Sequence, residues 1–280
     1  MQNSNWLKVV GLVILIIIIN LITNGFFGSS SNSNQNLVAN KVINSGEIRI
    51  GYIVYNPYLY KDETTGKLTG ISYDIVEATA KKLSLKTNWV EEVGWGSAIE
   101  GLKTGRYDVI GTQMWPNSSR AREAIFSISP MDNLIYPYVR FGDNRFSDLS
   151  KLNSDQITVV TTDGDAAVGI AKEDYPMAKV TIIPQMSSTA ETLLNIVGRK
   201  ADVAFLDPSA ADAFIKANPN QIQRLGNTPV RVFKNDFVFA RGEESMVSMW
   251  NTAVSELINE GFVLKTLKKY NVADYFSINK

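Results

Sequence analysis

The chain alternates short apolar runs of the kind that make buried strands with stretches whose apolar residues recur three and four apart, divided by polar turns. EIRIGYI, from Glu47, alternates and then becomes fully apolar, which predicts a first buried strand. YNPYLYKDETTGKLTG follows; its Tyr, Pro and Gly predict a loop or short hairpin. Residues 72–83, SYDIVEATAKKL, put Val76, Ala80 and Leu83 on one face, widened by Ile75, and predict a helix with Asp74 in its opening turn. A strand near 86–91 leads into a short helix begun by Trp95.

Residues 102–120, LKTGRYDVIGTQMWPNSSR, then read as a helix stopped at Gly105, a polar turn through Arg106 and Asp108, a buried strand from Val109 to about Gln113, and a loop. Glycine accepts positive φ without strain, so it is the usual residue just past a helix end. Ligands of open α/β sheets sit beyond the carboxyl ends of the strands, which makes 113–120 a candidate binding segment.

The second half repeats the alternation. LIYPYVRF (134–141) predicts a strand and a first crossover between two lobes; ITVVTT from Ile157, a turn at Gly164, a helix to about Asp174, KVTIIP from Lys179 and a helix near Ser187 follow. LNIVGRKADVAFLD (194–207) and the helix PSAADAFIKAN come next, then VRVFKNDFVFARGEE from Val230, which holds the return crossover, and a final helical pair. Strands alternating with helices predict a mainly parallel sheet. GRYDV at 105–109 and GRKADV at 198–203 share one grammar of helix stop, polar turn and buried strand, as two lobes facing each other across a cleft would.

Composition narrows the chemistry. The sequence has 280 residues, long enough for two lobes each with a core, and its 45% hydrophobic and 20% charged residues describe a globular protein. Lys plus Arg and Asp plus Glu both total 28, so no basic footprint for nucleic acid exists. Cysteine and histidine are absent, which removes disulfides, thiol chemistry, histidine bases and most zinc or haem sites. No cofactor and no metal are expected.

The N-terminus has its own pattern. VVGLVILIIIINLI (9–22) follows Lys8, and no further charge occurs until Lys41. A positive flank of this kind sends the rest of the chain outward, and extension to Phe27 gives about the length of a membrane helix. Residues 1–27 are expected to be a signal peptide or a membrane anchor; no Ala-x-Ala cleavage pattern is evident. The polar tract that follows predicts a flexible linker over 28–40.

Asp108 and Arg120 stand twelve positions apart, with Met114 between them. With L-x-x-G-x-x-D before the strand, this resembles the solute-binding proteins of ABC importers, in the branch that binds polar amino acids. Tyr55, Pro57 and Tyr58, the segment 70–75, and the closing helices resemble the same family, so the likeness runs over about 47–270. It implies an α/β fold of two Rossmann-like lobes with a hinge, the type 2 periplasmic binding protein architecture, here preceded by one N-terminal hydrophobic helix. The expected lobes are 41–138 with 235–280, and 139–234.

The resemblance also implies a site. Arg120 takes the family's place for the ligand carboxylate, a role suited to a planar fork of donors. Asp207 takes the place for the ammonium, although helix capping ahead of Pro208 and Ser209 is a competing use. Tyr55 and Trp95 are expected either to sandwich the ligand or to plug the first lobe. Gln113, Trp115 and Asn117 replace the family's Gly, small hydroxyl residue and Thr in the lining; Thr162, Gly164 and Asp165 face them from the second lobe. Asp165 stands where the family has Thr or Ser. It either turns away, pairs with Arg120, or meets a cation of the ligand.

The expectation is an extracytoplasmic, membrane-tethered or secreted monomer that is not an enzyme and binds a small polar ligand, an amino acid or related amine, for an ABC transporter permease. A dehydratase resembling the cyclohexadienyl type and a ligand-sensing subunit are the alternatives.

Overall fold

The computed structural model describes residues 37–278. The expected hydrophobic segment at 1–27 and most of the expected linker lie outside them. Among the described residues no helix is long and apolar enough to cross a membrane.

In chain order the elements are α1 (Leu37–Ser45), β1 (Glu47–Tyr52), β2 (Tyr60–Lys61), β3 (Leu68–Thr69), α2 (Ile71–Lys82), β4 (Lys86–Glu92), α3 (Ala98–Lys103), β5 (Val109–Met114), α4 (Ser118–Ala121), β6 (Ala124–Phe126) and β7 (Asp132–Arg140). Then come β8 (Thr158–Thr162), α5 (Ala167–Asp174), β9 (Lys179–Ile183), α6 (Thr189–Val197), β10 (Val203–Leu206), α7 (Pro208–Ala217), β11 (Ile222–Arg224), β12 (Arg231–Lys234), β13 (Asp236–Ala240), α8 (Glu244–Asn259), α9 (Phe262–Lys269) and β14 (Phe276–Ser277).

Two sheets result. The first has the order β4-β1-β5-β13-β6, with β1 parallel to β4 and β5, and β13 antiparallel to β5 and β6. The second runs β11-β7-β10-β8-β9, with β8 parallel to β9 and β10, and β7 antiparallel to β10 and β11. Strand side chains alternate between faces, so each sheet feeds two cores. On the first sheet Phe237 and Phe239 pack with Trp250 of α8, while Val238 turns to the opposite cluster with Leu102 of α3. On the second, Val203 and Phe205 join Ile170 of α5, whereas Ala204 and Leu206 join Leu193 of α6.

The lobes are joined along β7. Its beginning pairs with β12 (Asp132 opposite Lys234, Ile135 opposite Arg231), and its later residues pair with β10. The chain therefore leaves the first sheet on one strand and returns beside it on another, which makes a two-stranded hinge. β14 also pairs with β7, and the Tyr275 hydroxyl donates to Asp212 of α7, so the C-terminal segment lies across the hinge onto the second lobe.

The repeated grammar is structural. α3 ends with Gly105 at φ +68°, its N–H reaching the Leu102 carbonyl (3.1 Å) and that of Arg106 the Gly101 carbonyl (2.9 Å). α6 ends with the same paired bonds, Arg199 to Ile196 (3.1 Å) and Lys200 to Asn195 (2.9 Å). Asp108 and Asp202 then each exchange bonds with the start of a neighbouring strand. The Asp108 N–H donates to the Arg49 carbonyl (2.8 Å) and its carboxylate accepts from the Arg49 N–H (2.9 Å); Asp202 does both with Thr158 at the same two distances.

Four expectations are corrected. The sheets are mixed, not mainly parallel, because β13 and β7 run antiparallel to their neighbours. The left-handed residue that ends α6 is Arg199 (φ +60°), not Gly198 (φ −76°), so the two units align without a gap, Gly105 on Arg199. The helix expected to begin at Trp95 begins at Ala98, after a turn in which the Ala98 N–H reaches the Gly94 carbonyl. Residues 37–40, assigned to the linker, belong to α1, because Ala39 and Val42 are buried in the first lobe's core.

Candidate functional site

The loops that follow β1 and β5 and the turn before α3, all of the first lobe, meet the loops that follow β8 and β10 of the second across the space between the lobes. α4 is a single turn after β5. Asn117 caps it by accepting the Arg120 N–H at 2.8 Å, which fixes where the Arg120 side chain starts. The guanidinium folds back onto the Trp115 carbonyl (2.6 Å) and reaches across to the Gly164 carbonyl of the second lobe (2.6 Å). It is buried. Burial lowers its pKa, while the Asp165 charge acts the other way.

Asp207 follows β10 and is the cap of α7, while its other carboxylate oxygen is turned toward the first lobe. Its Oδ1 caps α7, accepting from the Ala210 N–H (3.1 Å) and the Ser209 hydroxyl, while Oδ2 accepts from the Tyr55 hydroxyl of the first lobe (2.8 Å). At 1% exposure its carboxyl is pushed up by burial and pulled back by these three bonds. Burial, then the nearby Asp207 charge, raises the Tyr55 hydroxyl well above its ordinary range. The Tyr55 ring meets Trp95 edge to face (5.6 Å, 81°) and tilts against Tyr58 (5.3 Å). Packing and cleft lining are thus combined in Tyr55 and Trp95.

Asp165 neither leaves the cleft nor ion-pairs with Arg120. Its Oδ1 accepts the Ala167 N–H (2.9 Å) at the start of α5, and its side chain borders the inter-lobe space. Burial, more than any neighbour, pushes its carboxyl up; Arg120 lowers it and Asp207 raises it. Gly164 lies close against the first lobe. It sits at φ +77°, and a Cβ there would lie 2.3 Å from the backbone nitrogen of Gly96.

The remaining expected residues divide. Gln113 is buried and borders the cleft, with Oε1 accepting from the Ser72 hydroxyl (2.9 Å) and Nε2 without a hydrogen-bond partner. Thr162 borders the space from the second lobe. Trp115 borders it too, but its ring stacks on Phe233 (4.9 Å, 13°) within the second sheet's core, so it does more than fill a pocket. Asn117 borders neither part of the space; its side chain is spent on the α4 cap.

Several lining residues escaped the sequence reading. Tyr58 and Asn235 border the cleft, and Asn133 donates to the Tyr58 hydroxyl and accepts from Asn235 Nδ2 (2.6 Å). The cue was present in KND at the return crossover, where polar residues interrupt two apolar runs. Gly94 and Gly96, flanking Trp95, let the lobes touch; a Cβ on Gly94 would lie 2.5 Å from Gln185 Cγ.

The space itself is two narrow parts that share Tyr55, Trp95 and Asp165, and only about 10 Å³ of each admits the centre of a water molecule. The lobes must part before a solute the size of an amino acid can enter. A wider groove, about 790 Å³, lies on the outer face between α2 and α9, lined by Lys81, Lys86 and Lys265, and no expected site residue borders it. Among the described residues no cluster of acidic side chains could hold a metal ion.

Known proteins resemble this chain in sequence and in fold. A probable amino-acid ABC transporter-binding protein of Haemophilus influenzae is 24% identical over 89% of this chain and 92% of its own length. The L-cystine-binding protein TcyA of Bacillus subtilis is 23% identical over 77% of both chains. Among solved structures, a mutant of ArgBP from T. maritima superposes with a TM-score of 0.72 at 20% identity, covering 84% of this chain and 99% of that one. The ancestral amino acid-binding protein AncCDT-1, a precursor of cyclohexadienyl dehydratase, also reaches 0.72, at 24% identity over 82% and 97%. At such identities these two structures establish the two-lobed fold alone. The sequence itself goes further: residues 48–273 match the profile of one family, and the chain belongs to the bacterial extracellular solute-binding proteins, family 3.

Proposed function

We propose that this protein captures a small polar solute, an amino acid or a related amine, between its lobes and hands it to the permease of an ABC importer. The observation that carries the reading is the pair of cross-lobe bonds, Arg120 to Gly164 and Tyr55 to Asp207, which set a guanidinium and a carboxylate on opposite sides of one cleft. A zwitterionic solute offers the complementary pair, a carboxylate for Arg120 and Gln113 and an ammonium for Asp207. Ligand contacts made from both lobes favour the closed arrangement, so binding is coupled to motion about β7 and β12.

On this reading the lobes comprise 41–138 with 235–280, and 139–234, and the protein works as a monomer outside the cytoplasm, with the apolar segment at 1–27 holding it at the membrane. The names of the amino-acid and cystine binders above support binding over catalysis. The test is calorimetry against a panel of amino acids and amines, with Arg120→Ala and Asp207→Ala each expected to weaken binding at least roughly 30-fold. Undiminished binding by both variants would reject the site. Turnover of prephenate or arogenate would instead favour an enzyme on the same scaffold.

A further inference from the structure

The charges in the cleft do not balance, and this deepens the reading of it as a solute site. Among the described residues, Arg120 and Asp165 border the inter-lobe space and Asp207 accepts a hydrogen bond across it. With all three ionised, the cleft carries one negative charge more than positive. Arg120 spends two of its guanidinium nitrogens on backbone carbonyls and makes no ion pair with either acid among the described residues.

The two acids also act on each other. The Asp207 charge raises the Asp165 carboxyl, and both raise the hydroxyl of Tyr55, which stands between the lobes bonded to Asp207. Two carboxylates near each other in a poorly solvated space repel, and a cation placed between them removes the repulsion. Asp207 is already well supplied, accepting from Tyr55, Ser209 and Ala210. Asp165 has the Ala167 N–H on Oδ1 and borders both parts of the cleft. The Tyr55 and Trp95 rings, which border the same two parts, offer π-faces of the kind that attract cations.

A neutral zwitterion would answer Arg120 with its carboxylate and Asp207 with its ammonium. It would leave the half-buried Asp165 without a counter-charge. A solute with one further cationic group answers all three. We infer that the cleft selects solutes of net positive charge, such as a basic amino acid, and that Asp165 is the residue that holds the additional cationic group.

The experiment is isothermal titration of the full-length chain in mild detergent with L-arginine, L-lysine, L-glutamine, L-glutamate and putrescine, repeated on Asp165→Asn. The asparagine keeps an acceptor for the Ala167 N–H and removes only the charge. The expected result is that at least one cationic probe binds roughly tenfold or more tighter than glutamine. The substitution should weaken that probe roughly 30-fold and remove most of its preference over glutamine. Glutamine or glutamate binding as tightly as the cations overturns the inference on the unaltered protein alone, even if the variant fails to fold, and leaves the solute-binding reading standing. A cation preference that survives Asp165→Asn overturns the role of Asp165. Failure of all five probes would remove the solute reading and this inference together, whereas putrescine binding alone would support charge selection and narrow the solute to an amine.

Discussion

The Tyr55 hydroxyl of the first lobe donates a 2.8 Å hydrogen bond to the Asp207 carboxylate of the second, joining residues far apart in the chain across the cleft. A hydrogen bond to a charged acceptor contributes about 1.5–3 kcal/mol, and here it is present only when the lobes meet. Tyr55→Phe deletes it and leaves Asp207 its Ser209 and Ala210 partners. The variant should shift the unliganded protein toward the open arrangement by roughly tenfold or more in population. Small-angle scattering should show a larger radius of gyration than for the unaltered protein. An unchanged radius would mean that this bond does not hold the lobes together.

Gly164 decides how near the lobes can come. A methyl group there would sit 2.3 Å from the Gly96 nitrogen, and the φ of +77° is itself unfavourable for alanine. Gly164→Ala is expected to obstruct closure and weaken solute binding roughly 30-fold or more, at a cost to fold stability of only about 1 kcal/mol. Paired calorimetry and denaturant titration separate the two effects. Full affinity in the variant would show that closure does not bring these two backbones together.

Asp236, at the start of β13 beside the hinge, has a carboxyl pushed up to about 7 by burial. The Ser129 hydroxyl and Lys234 act to lower it and Asp132 to raise it. Its Oδ1 has no hydrogen-bond partner. The folded state keeps this proton up to about pH 7, whereas the unfolded chain releases it near 4, so stability falls as pH rises through that window. Asp236→Asn removes the penalty. Its melting temperature should exceed that of the unaltered protein by at least ~2 °C at pH 8, with little difference at pH 4. Equal gains at both pH values would show that ionisation is not the cause.

Arg199 ends α6 in a left-handed conformation with its side chain exposed, where the matching position of the first lobe is Gly105. A non-glycine residue in that region costs about 1–2 kcal/mol, part of which glycine gives back through the greater freedom of its unfolded chain. Arg199→Gly should stabilise the protein by about 0.5–1 kcal/mol in denaturant titration. A loss of stability would assign the Arg199 side chain a role that its surroundings do not reveal.

Much of this molecule was legible in the residues alone. Apolar periodicity marks β1, α2, β5, β8 and β10, because a strand buried on both faces and a helix buried on one leave different spacings in any sequence. The family's separation of Asp108 from Arg120 brought the two-lobed fold with it. Asp207 could be named as a helix cap, since Asp-Pro at the end of an apolar run opens a helix, and the same position puts its carboxylate at a strand end.

What only the tertiary structure decided is which groups share a space. Whether Asp165 would face a cation, pair with Arg120 or turn aside depends on distances between two lobes that no local pattern encodes. The same holds for Trp115, which reaches out of its own lobe to stack on Phe233, and for Tyr58 and Asn235, brought beside the cleft by the hinge. Local spacing is written by the chain's own periodicity; contacts between residues over a hundred positions apart are written by how two separately packed cores come to rest against each other.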